Sequence, residues 1–260
     1  MSRLEVKDLF VHFGGIQALN GVSFNVEPNQ LFGLIGPNGA GKTTVLNLVN
    51  GVYKPFSGSI LLNGKEMIGL KPHHIARLGV ARTFQNIELF KNMTVIDNLM
   101  LGRQQFLRSG ILSGSLYRGK CLKEEVLNRD RVEEIIEFLE IEAFRKKTVR
   151  MLPFGVQKRV ELGRALSMEP KVLLLDEPCS GMNTEETEDM ARFILDIKEE
   201  TEISILMVEH NMEVVMDIAD RICVVNFGTK IAEGGPKEIQ SDPKVINAYL
   251  GEEESPLGKQ

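Results

Sequence analysis

An eight-residue glycine-rich segment, Gly36-Pro37-Asn38-Gly39-Ala40-Gly41-Lys42-Thr43, limits what this chain can fold into more than any other feature. It matches the pattern G-x-x-x-x-G-K-(S/T), a short apolar run at 31–35 leads into it, and helical sequence follows at 44–50. Glycines let consecutive backbone N–H groups face one anion, and the helix adds the positive end of its dipole. The segment therefore predicts a strand, a phosphate-binding loop and a helix. A chance glycine-rich turn before a helix is the alternative.

The residues of this loop have separate predicted roles. The ammonium group of Lys42 supplies charge to the β- and γ-phosphates of a nucleoside triphosphate, and the Thr43 hydroxyl is a natural Mg²⁺ ligand. Contacts to the nucleotide are expected from Gly36, Pro37, Asn38, Gly39, Ala40, Gly41, Lys42, Thr43 and Thr44.

Two carboxylates at the end of an apolar strand form the second half of the predicted site. Val172-Leu173-Leu174-Leu175 is a continuous apolar run, as expected of a strand buried on both faces, and Asp176 and Glu177 follow it. Asp176 suits the Mg²⁺-binding carboxylate of a P-loop nucleotidase. Glu177 would then lie next to the γ-phosphate as a general base for water. An ordinary acidic turn at a strand end is the alternative.

Strand and helix patterns surround a long helical stretch. The alternating segment 22–26 and a hairpin signal after 60–62 indicate antiparallel β structure, and the apolar run at 203–208 adds a second buried strand. Between about 86 and 165 the pattern becomes mainly helical, although we expect a loop or short irregular helices at 102–119. These patterns predict an α/β fold.

One helix of the helical stretch has a predicted start. Apolar residues recur at i, i+3, i+4 and i+7, namely at Val132, Ile135, Ile136 and Leu139. Asp130 suits the cap of this helix, and Glu133 completes a capping-box-like pattern, so the helix is expected to begin near Asp130.

The charge balance and the cysteines narrow the class of protein. A formal net charge of -5 argues against nucleic acid as the main partner, because nucleic-acid-binding proteins usually carry a basic footprint. The three cysteines form no CxxC pair, which favours free thiols in a reducing compartment. The charged N-terminus lacks the apolar core of a signal peptide, and no run approaches the ~20 apolar residues of a membrane helix. We therefore expect a cytoplasmic protein that reaches a membrane only through a partner.

Four more segments complete a resemblance to the ABC ATPase family that covers nearly the whole chain. Gln85 stands where the family has its Q-loop, and residues 152–159 stand where its LSGGQ-type signature precedes the Walker B strand. Ser180-Gly181-Met182-Asn183 resembles the D-loop, and His210 resembles the switch histidine. A single histidine after a strand is usually structural, but five elements in family order favour the functional interpretation. Phe13 stands where the family places an aromatic ring against adenine, and a core or turn role is the alternative.

The resemblance implies a P-loop NTPase (RecA-like) core with an antiparallel β piece and a mainly helical inserted subdomain. The ATPase domain would span 1–240 with the insert at approximately 86–165, and a C-terminal helix and tail would span 241–260. The catalytic residues would be Glu177, His210, Lys42 and Gln85. The Mg²⁺ site would be organised by Thr43, Gln85 and Asp176. In a head-to-tail dimer, the nucleotide of the partner subunit would be contacted by Phe154, Gly155, Val156 and Asn183.

The signature segment departs from the family consensus. Pro153 stands in place of the serine, Phe154 in place of the first glycine and Val156 in place of the glutamine, so a hydroxyl contact is lost and turnover could be slow. Gly155 keeps its place. A pattern of this kind resembles the ATP-binding subunits of branched-chain amino acid uptake systems, and so do the segments 208–216 and 243–251.

The resemblance implies ATP and Mg²⁺ as cofactors and two kinds of protein partner. These are transmembrane permease subunits and a second ATP-binding subunit, either identical or a sister chain, with no nucleic acid. The chain would then be peripheral on the inner face of the cell membrane and would power import, most simply of branched-chain amino acids. The alternatives are a subunit for another solute such as urea, a soluble ABC ATPase outside transport, and a binding-only regulator.

Overall fold

The computed structural model describes residues 3–106 and 120–253, in which two β-sheets organise the fold. The strands of the larger sheet are β3 (Leu31–Ile35), β6 (Val80–Arg82), β7 (Val172–Asp176), β8 (Ser204–Val208), β9 (Arg221–Asn226) and β10 (Thr229–Gly234). They lie in the order β10-β9-β3-β8-β7-β6, and every pair from β6 to β9 is parallel. Strands β3, β7 and β8 are buried along their whole length, which explains their continuous apolar runs. The predicted α/β core is confirmed.

The smaller sheet is the predicted antiparallel β piece. Its strands, in the order β2-β1-β4-β5, are β1 (Leu4–Phe13), β2 (Ile16–Val26), β4 (Ser57–Leu62) and β5 (Lys65–Glu66). The Phe24 ring stacks on Phe32 of the larger sheet, with centroids 5.2 Å apart. Helix α1 (Lys42–Val49) contributes Val45 and Leu46 to the same buried cluster. One hydrophobic core therefore joins both sheets to the helix that follows the glycine-rich loop.

The described residues between β6 and β7 are mainly helical, as expected for the insert. Helix α2 (Pro72–Arg77) precedes β6. Between β6 and β7 the helices are α3 (Val95–Gly102), α4 (Lys120–Phe138) and α5 (Phe154–Leu166), with 3-10 turns at Arg103–Phe106, Glu142–Phe144 and Val149–Met151. The irregular stretch predicted at 102–119 lies, beyond Phe106, outside the described residues.

The predicted start of α4 near Asp130 is wrong. The helix already runs from Lys120, so Asp130 lies in its interior. In the first half of α4 the apolar residues do not mark a buried face, since Val126 and Leu127 are exposed. The buried position there is Asn128, whose Oδ1 accepts a hydrogen bond from Arg103 Nε at 2.8 Å. The first half of α4 is therefore anchored by a polar contact, and hydrophobic periodicity in the sequence cannot detect such a contact.

The remaining helices follow β7 in the chain. They are α6 (Thr184–Glu200), α7 (Met212–Ile218), α8 (Pro236–Ser241) and α9 (Pro243–Glu253). Helix α9 buries Val245 in the cluster that contains Ile239 of α8, so its described part packs on the main core. None of the described helices has the length and apolar composition that crossing a bilayer requires.

Candidate active site

The glycine-rich loop joins β3 to α1 and follows a path that requires glycine. Gly36 has φ 150, and a Cβ there would lie 1.9 Å from the backbone oxygen of Val225 on β9. Gly41 has φ 103, and its Cβ would lie 2.8 Å from the Ala18 carbonyl oxygen. These glycines are needed because other backbone segments approach the loop closely. The path of the loop is thus fixed by its close contacts with β9 and β2 as well as by its own sequence.

The first turn of α1 offers the backbone amides that an anion needs. Gly41 caps the helix without a side-chain hydrogen bond, so the first N–H groups of α1 are not capped by a side chain. Lys42 is buried, and its Nζ donates to the backbone oxygens of Gly36 at 2.6 Å and Pro37 at 3.0 Å. The ammonium group therefore lies inside the loop, next to the positions that phosphate oxygens would take.

A cavity of about 460 Å³ opens over this loop. Its lining combines both predicted halves of the site with residues from β2 and the β9–β10 turn, namely Ile16, Gln17, Ala18, Asn38, Gly39, Ala40, Gly41, Lys42, Thr43, Thr44, Gln85, Glu177 and Phe227. Two other cavities in the described residues are larger, one between α7 and α8 and one beside α4, but neither includes the glycine-rich loop. The cavity over the glycine-rich loop is the one whose lining combines the loop amides with a carboxylate, that of Glu177.

Asp176 is buried at the end of β7 and forms an ion pair that the sequence did not predict. Its Oδ2 lies 2.6 Å from Nη2 of Arg82, which ends the neighbouring strand β6, and both side chains are at most 4% exposed. Arg82 also donates from Nη1 to Asn47 of α1 at 2.7 Å. The second oxygen of Asp176, Oδ1, is buried without a hydrogen-bond partner. Such an atom is costly to bury and fits a metal ligand.

Glu177 is the point at which three separate elements meet. It has a left-handed backbone with φ 49, which turns its side chain away from the strand direction. Gln85 Nε2 donates to Glu177 Oε2 at 2.9 Å, and His210 Nδ1 lies 3.6 Å from the same oxygen. His210 is mostly exposed, whereas Glu209 beside it is fully buried and accepts from the Cys179 amide at 2.8 Å. The structure thus brings Glu177, Gln85 and His210 together, as the predicted catalytic group requires.

The signature and D-loop residues lie next to each other within the chain. Phe154 is 43% exposed at the start of α5, and its ring lies close to Gly181. A Cβ on Gly155 would lie 2.4 Å from Glu186 Oε1, while Val156 is buried. Asn183 already accepts from the Glu186 amide at 2.9 Å as the cap of α6. Contacts to a partner's nucleotide would therefore use the Phe154 ring and backbone amides rather than the Val156 side chain.

Phe13 lies at the rim of the site, not in the lining of the loop cavity. It ends β1, pairs with Ile16 across the hairpin, and meets the Tyr53 ring edge-on with centroids 5.1 Å apart. Nearly half of its side chain is exposed. Its assignment to the adenine ring stays a prediction.

Sequence reasoning missed residues that reach the site from other elements. Ile16, Gln17 and Ala18 line the cavity from β2, and Phe227 lines it from the β9–β10 turn, where it is 87% exposed with φ 45. The signal for Phe227 was a bulky residue before Gly228 in a two-residue hairpin turn, a position that favours Asn or Gly. No local pattern indicated that Arg82 would pair with Asp176.

The residues present fit a nucleotide and Mg²⁺. The loop offers amides and Lys42 to phosphate, and Thr43 and Asp176 Oδ1 offer two oxygen ligands of the kind that Mg²⁺ prefers. Within residues 3–106 and 120–253 no three His, Cys, Asp or Glu side chains gather as a metal site. Mg²⁺ is commonly bound by one or two protein ligands together with substrate phosphates and water.

Comparison with known proteins agrees with this geometry. The sequence profile described as "ABC transporter" matches residues 19–180, and one described as "Branched-chain amino acid ATP-binding cassette transporter" matches residues 229–255. The high-affinity branched-chain amino acid transport ATP-binding protein BraF of Pseudomonas aeruginosa is 42% identical over 257 residues, which is 97% of this chain and 100% of BraF. LivG of Escherichia coli, which has the same description, is 42% identical over 96% of this chain and 98% of its own.

A solved structure has the same fold over nearly its whole length. MJ1267, described as an ATP-binding cassette of an ABC transporter in its ADP conformation, superposes with a TM-score of 0.84 at 32% identity. The match covers 96% of this chain and 99% of MJ1267. The predicted P-loop NTPase fold is therefore confirmed.

Proposed function

This chain belongs to the ABC transporter family, and from that premise we propose that it is the ATP-hydrolysing subunit of a transporter that imports branched-chain amino acids. The solute class is supported by the similarity to BraF and LivG along nearly their full length, and by the C-terminal match at 229–255. The reaction is the hydrolysis of ATP to ADP and phosphate.

One observation carries the catalytic part of this proposal. Gln85, Glu177 and His210 come from three distant parts of the sequence and meet at one carboxylate oxygen beside the loop cavity. A base that is oriented by neighbouring polar groups, next to a phosphate-binding loop, is the arrangement that hydrolysis of a phosphoanhydride requires. A site that only bound nucleotide would not need it.

Each residue then has a role toward ATP. The loop amides and Lys42 bind the β- and γ-phosphates. Thr43, Asp176 and Gln85 would hold Mg²⁺, which would neutralise part of the phosphate charge when bound.

Glu177 accepts a proton from the attacking water. The water oxygen bonds to the γ-phosphorus, and the bond from the γ-phosphorus to the bridging oxygen breaks, which releases ADP. Gln85 orients the Glu177 carboxylate through its 2.9 Å hydrogen bond. His210, whose Nδ1 lies 3.6 Å from Glu177 Oε2, steadies the γ-phosphate and the water.

A second ATP-binding subunit completes the site. The exposed Phe154 ring and the Gly155 and Val156 amides belong to the first turn of α5. The Phe154 ring lies close to Gly181, and Asn183 is exposed two residues further along the chain. In a head-to-tail dimer these groups contact the nucleotide of the partner, which is either an identical or a sister subunit. ATP binding closes this dimer, and hydrolysis reopens it.

Permease subunits are the second kind of partner. The segment after Gln85 carries Phe90, which is 57% exposed, only five residues beyond a group that faces the phosphate site. A cytoplasmic helix of a permease that docks there would respond to the nucleotide state. The subunit would then work on the cytoplasmic side of the membrane.

Reconstitution of the complete transporter tests the function. The chain is co-purified with its permease subunits in detergent and placed in liposomes, and ATP-dependent uptake of leucine is compared with uptake of urea. We expect leucine uptake with wild type and none with Glu177→Gln. Urea uptake alone would move the solute to the urea branch while leaving the ATPase in place. A chain that hydrolyses ATP but captures no permease would instead be a soluble ABC ATPase.

A further inference from the structure

Three charged side chains lie on one face of α5. Their burial requires partners that compensate the charge. Lys158, Glu161 and Arg164 follow one another at intervals of three, which places them along one side of the helix. Lys158 is 3% exposed and Glu161 is 2% exposed. Charged groups are almost never buried this deeply without a partner.

Their partners are all backbone groups of one short segment, residues 84–88, here called the Gln85 segment. Lys158 Nζ donates to the Gln85 carbonyl oxygen at 2.9 Å. Glu161 Oε1 accepts from the amides of Phe84 at 3.4 Å and Glu88 at 3.3 Å. Arg164 Nη1 donates to the Glu88 carbonyl oxygen at 2.5 Å. The Gln85 segment is thus held at Phe84, Gln85 and Glu88 by a single helix.

The Gln85 side chain extends from this segment to the catalytic carboxylate. Its Nε2 donates to Glu177 Oε2 at 2.9 Å, while its carbonyl oxygen is held by Lys158. Lys158 also lies 5.9 Å from the centroid of the Phe154 ring, at the exposed start of α5. A continuous path of contacts therefore joins Phe154 to Lys158, Gln85 and Glu177.

We infer that Lys158, Glu161 and Arg164 are positioning residues that fix Gln85 against Glu177. The inference rests on the proposed function in that Gln85 orients Glu177, which acts at the γ-phosphate. A structural role alone would need no contact with this particular segment. Glu161 is well suited because one carboxylate oxygen receives two amides of the same segment. Burial raises the pKa of Glu161, and the two amides, Lys158 and Arg164 oppose that rise.

Two substitutions of Glu161 and one control separate positioning from stability. Glu161→Gln keeps an oxygen that accepts both amides, whereas Glu161→Leu removes the acceptor. Ser167→Ala is the matched control, because its buried hydroxyl bonds within the same helix region, to the Gly163 carbonyl oxygen. Each variant is tested as the full chain by hydrogen exchange and by calorimetric binding of ADP and of a non-hydrolysable ATP analogue.

We expect exchange across residues 83–90 to accelerate by about tenfold in Glu161→Leu, to change little in Glu161→Gln, and not to change in Ser167→Ala. Affinity for the ATP analogue should fall by about fivefold in Glu161→Leu with ADP affinity unchanged, because Gln85 and the Glu177 carboxylate that it orients face the γ-phosphate, which ADP lacks. Unchanged exchange in Glu161→Leu, or equal loss of both nucleotides, would overturn the inference. If Glu161→Leu does not fold, Lys158→Met takes its place, with the same expected pattern and the same contradicting outcomes. Failure of the proposed function would be seen separately, as a wild-type chain that does not hydrolyse ATP.

Discussion

Gln85 and Glu177 are 92 positions apart, yet the Gln85 amide nitrogen donates to Glu177 Oε2 at 2.9 Å. The hydrogen bond connects the segment that leads into the helical insert to the residue that follows β7, next to the edge strand β6. It also leaves Glu177 beside the loop cavity, where His210 approaches the same oxygen at 3.6 Å. The Glu177 carboxylate is therefore contacted by two groups that lie outside its own strand.

Replacement of Glu177 by glutamine tests its role as the general base. We expect Glu177→Gln to bind ATP normally and to lose about 10²–10⁴-fold in hydrolysis rate, because the amide cannot accept the proton of water. Phosphate release and nucleotide binding are the measurements, and the variant should accumulate as an ATP-bound dimer. Glu185→Gln, an exposed carboxylate on α6, is the control and should keep the wild-type rate. Wild-type turnover in Glu177→Gln would remove Glu177 from this role.

Removal of Arg82 from its buried ion pair with Asp176 should strongly destabilise the fold. Arg82→Met would leave the Asp176 carboxylate buried without its partner, which should lower the free energy of unfolding by about 3–5 kcal/mol. Chemical denaturation measures this change. Arg192→Met removes another paired arginine, but one that is 45% exposed, and should cost less than about 1 kcal/mol. Equal costs for the two variants would show that burial of the pair does not matter.

Phe13 is the residue expected to stack on adenine. Phe13→Ala should weaken ATP binding by about 1–3 kcal/mol, as for other base–aromatic stacking, with little change in selectivity between purines. Phe56→Ala is a suitable control, because Phe56 is also exposed and lies edge-on to His12. Titration calorimetry compares the two. An unchanged nucleotide affinity in Phe13→Ala would make Phe13 a structural residue.

Leu89 and Phe90 should respond in opposite ways to the same substitution. Leu89 is 7% exposed and belongs to the main core cluster, whereas Phe90 is 57% exposed. Leu89→Asp should therefore unfold the chain, because it buries a charge. Phe90→Asp should keep the fold and basal ATPase activity but lose co-purification with the permease subunits. Normal co-purification of Phe90→Asp would exclude this side chain from the docking surface.

Two buried thiols should be unreactive in the folded protein. Burial, with Glu209 adding to it, raises the pKa of Cys179 to about 12, and burial with Glu233 does the same for Cys223. Thiolate is the form that reacts with iodoacetamide, so neither residue should be labelled at pH 7.5 until the chain is denatured. Mass spectrometry of the peptides distinguishes these sites from Cys121. Rapid labelling of Cys179 in the native state would indicate that the segment after Glu177 opens.

Much of the fold and part of the site follow from the sequence, because they depend on neighbours along the chain. The glycine-rich loop between an apolar strand and a helix, and the Asp176-Glu177 pair after β7, are local patterns that few folds other than a P-loop NTPase satisfy. The buried parallel strands are equally local, since burial on both faces requires a continuous apolar run.

Only the tertiary structure decided which distant groups meet. The pairing of Arg82 with Asp176 and the clamp of α5 on the Gln85 segment join residues that are 73 to 94 positions apart. No periodicity specifies such partners, because a charged side chain is as compatible with solvent as with a buried counterpart. For the same reason the sequence could not separate buried Leu89 from exposed Phe90, or detect the first half of α4, which is held through Asn128. Hydrophobic patterns report which face of an element is buried, and packing alone determines which polar groups are buried with it.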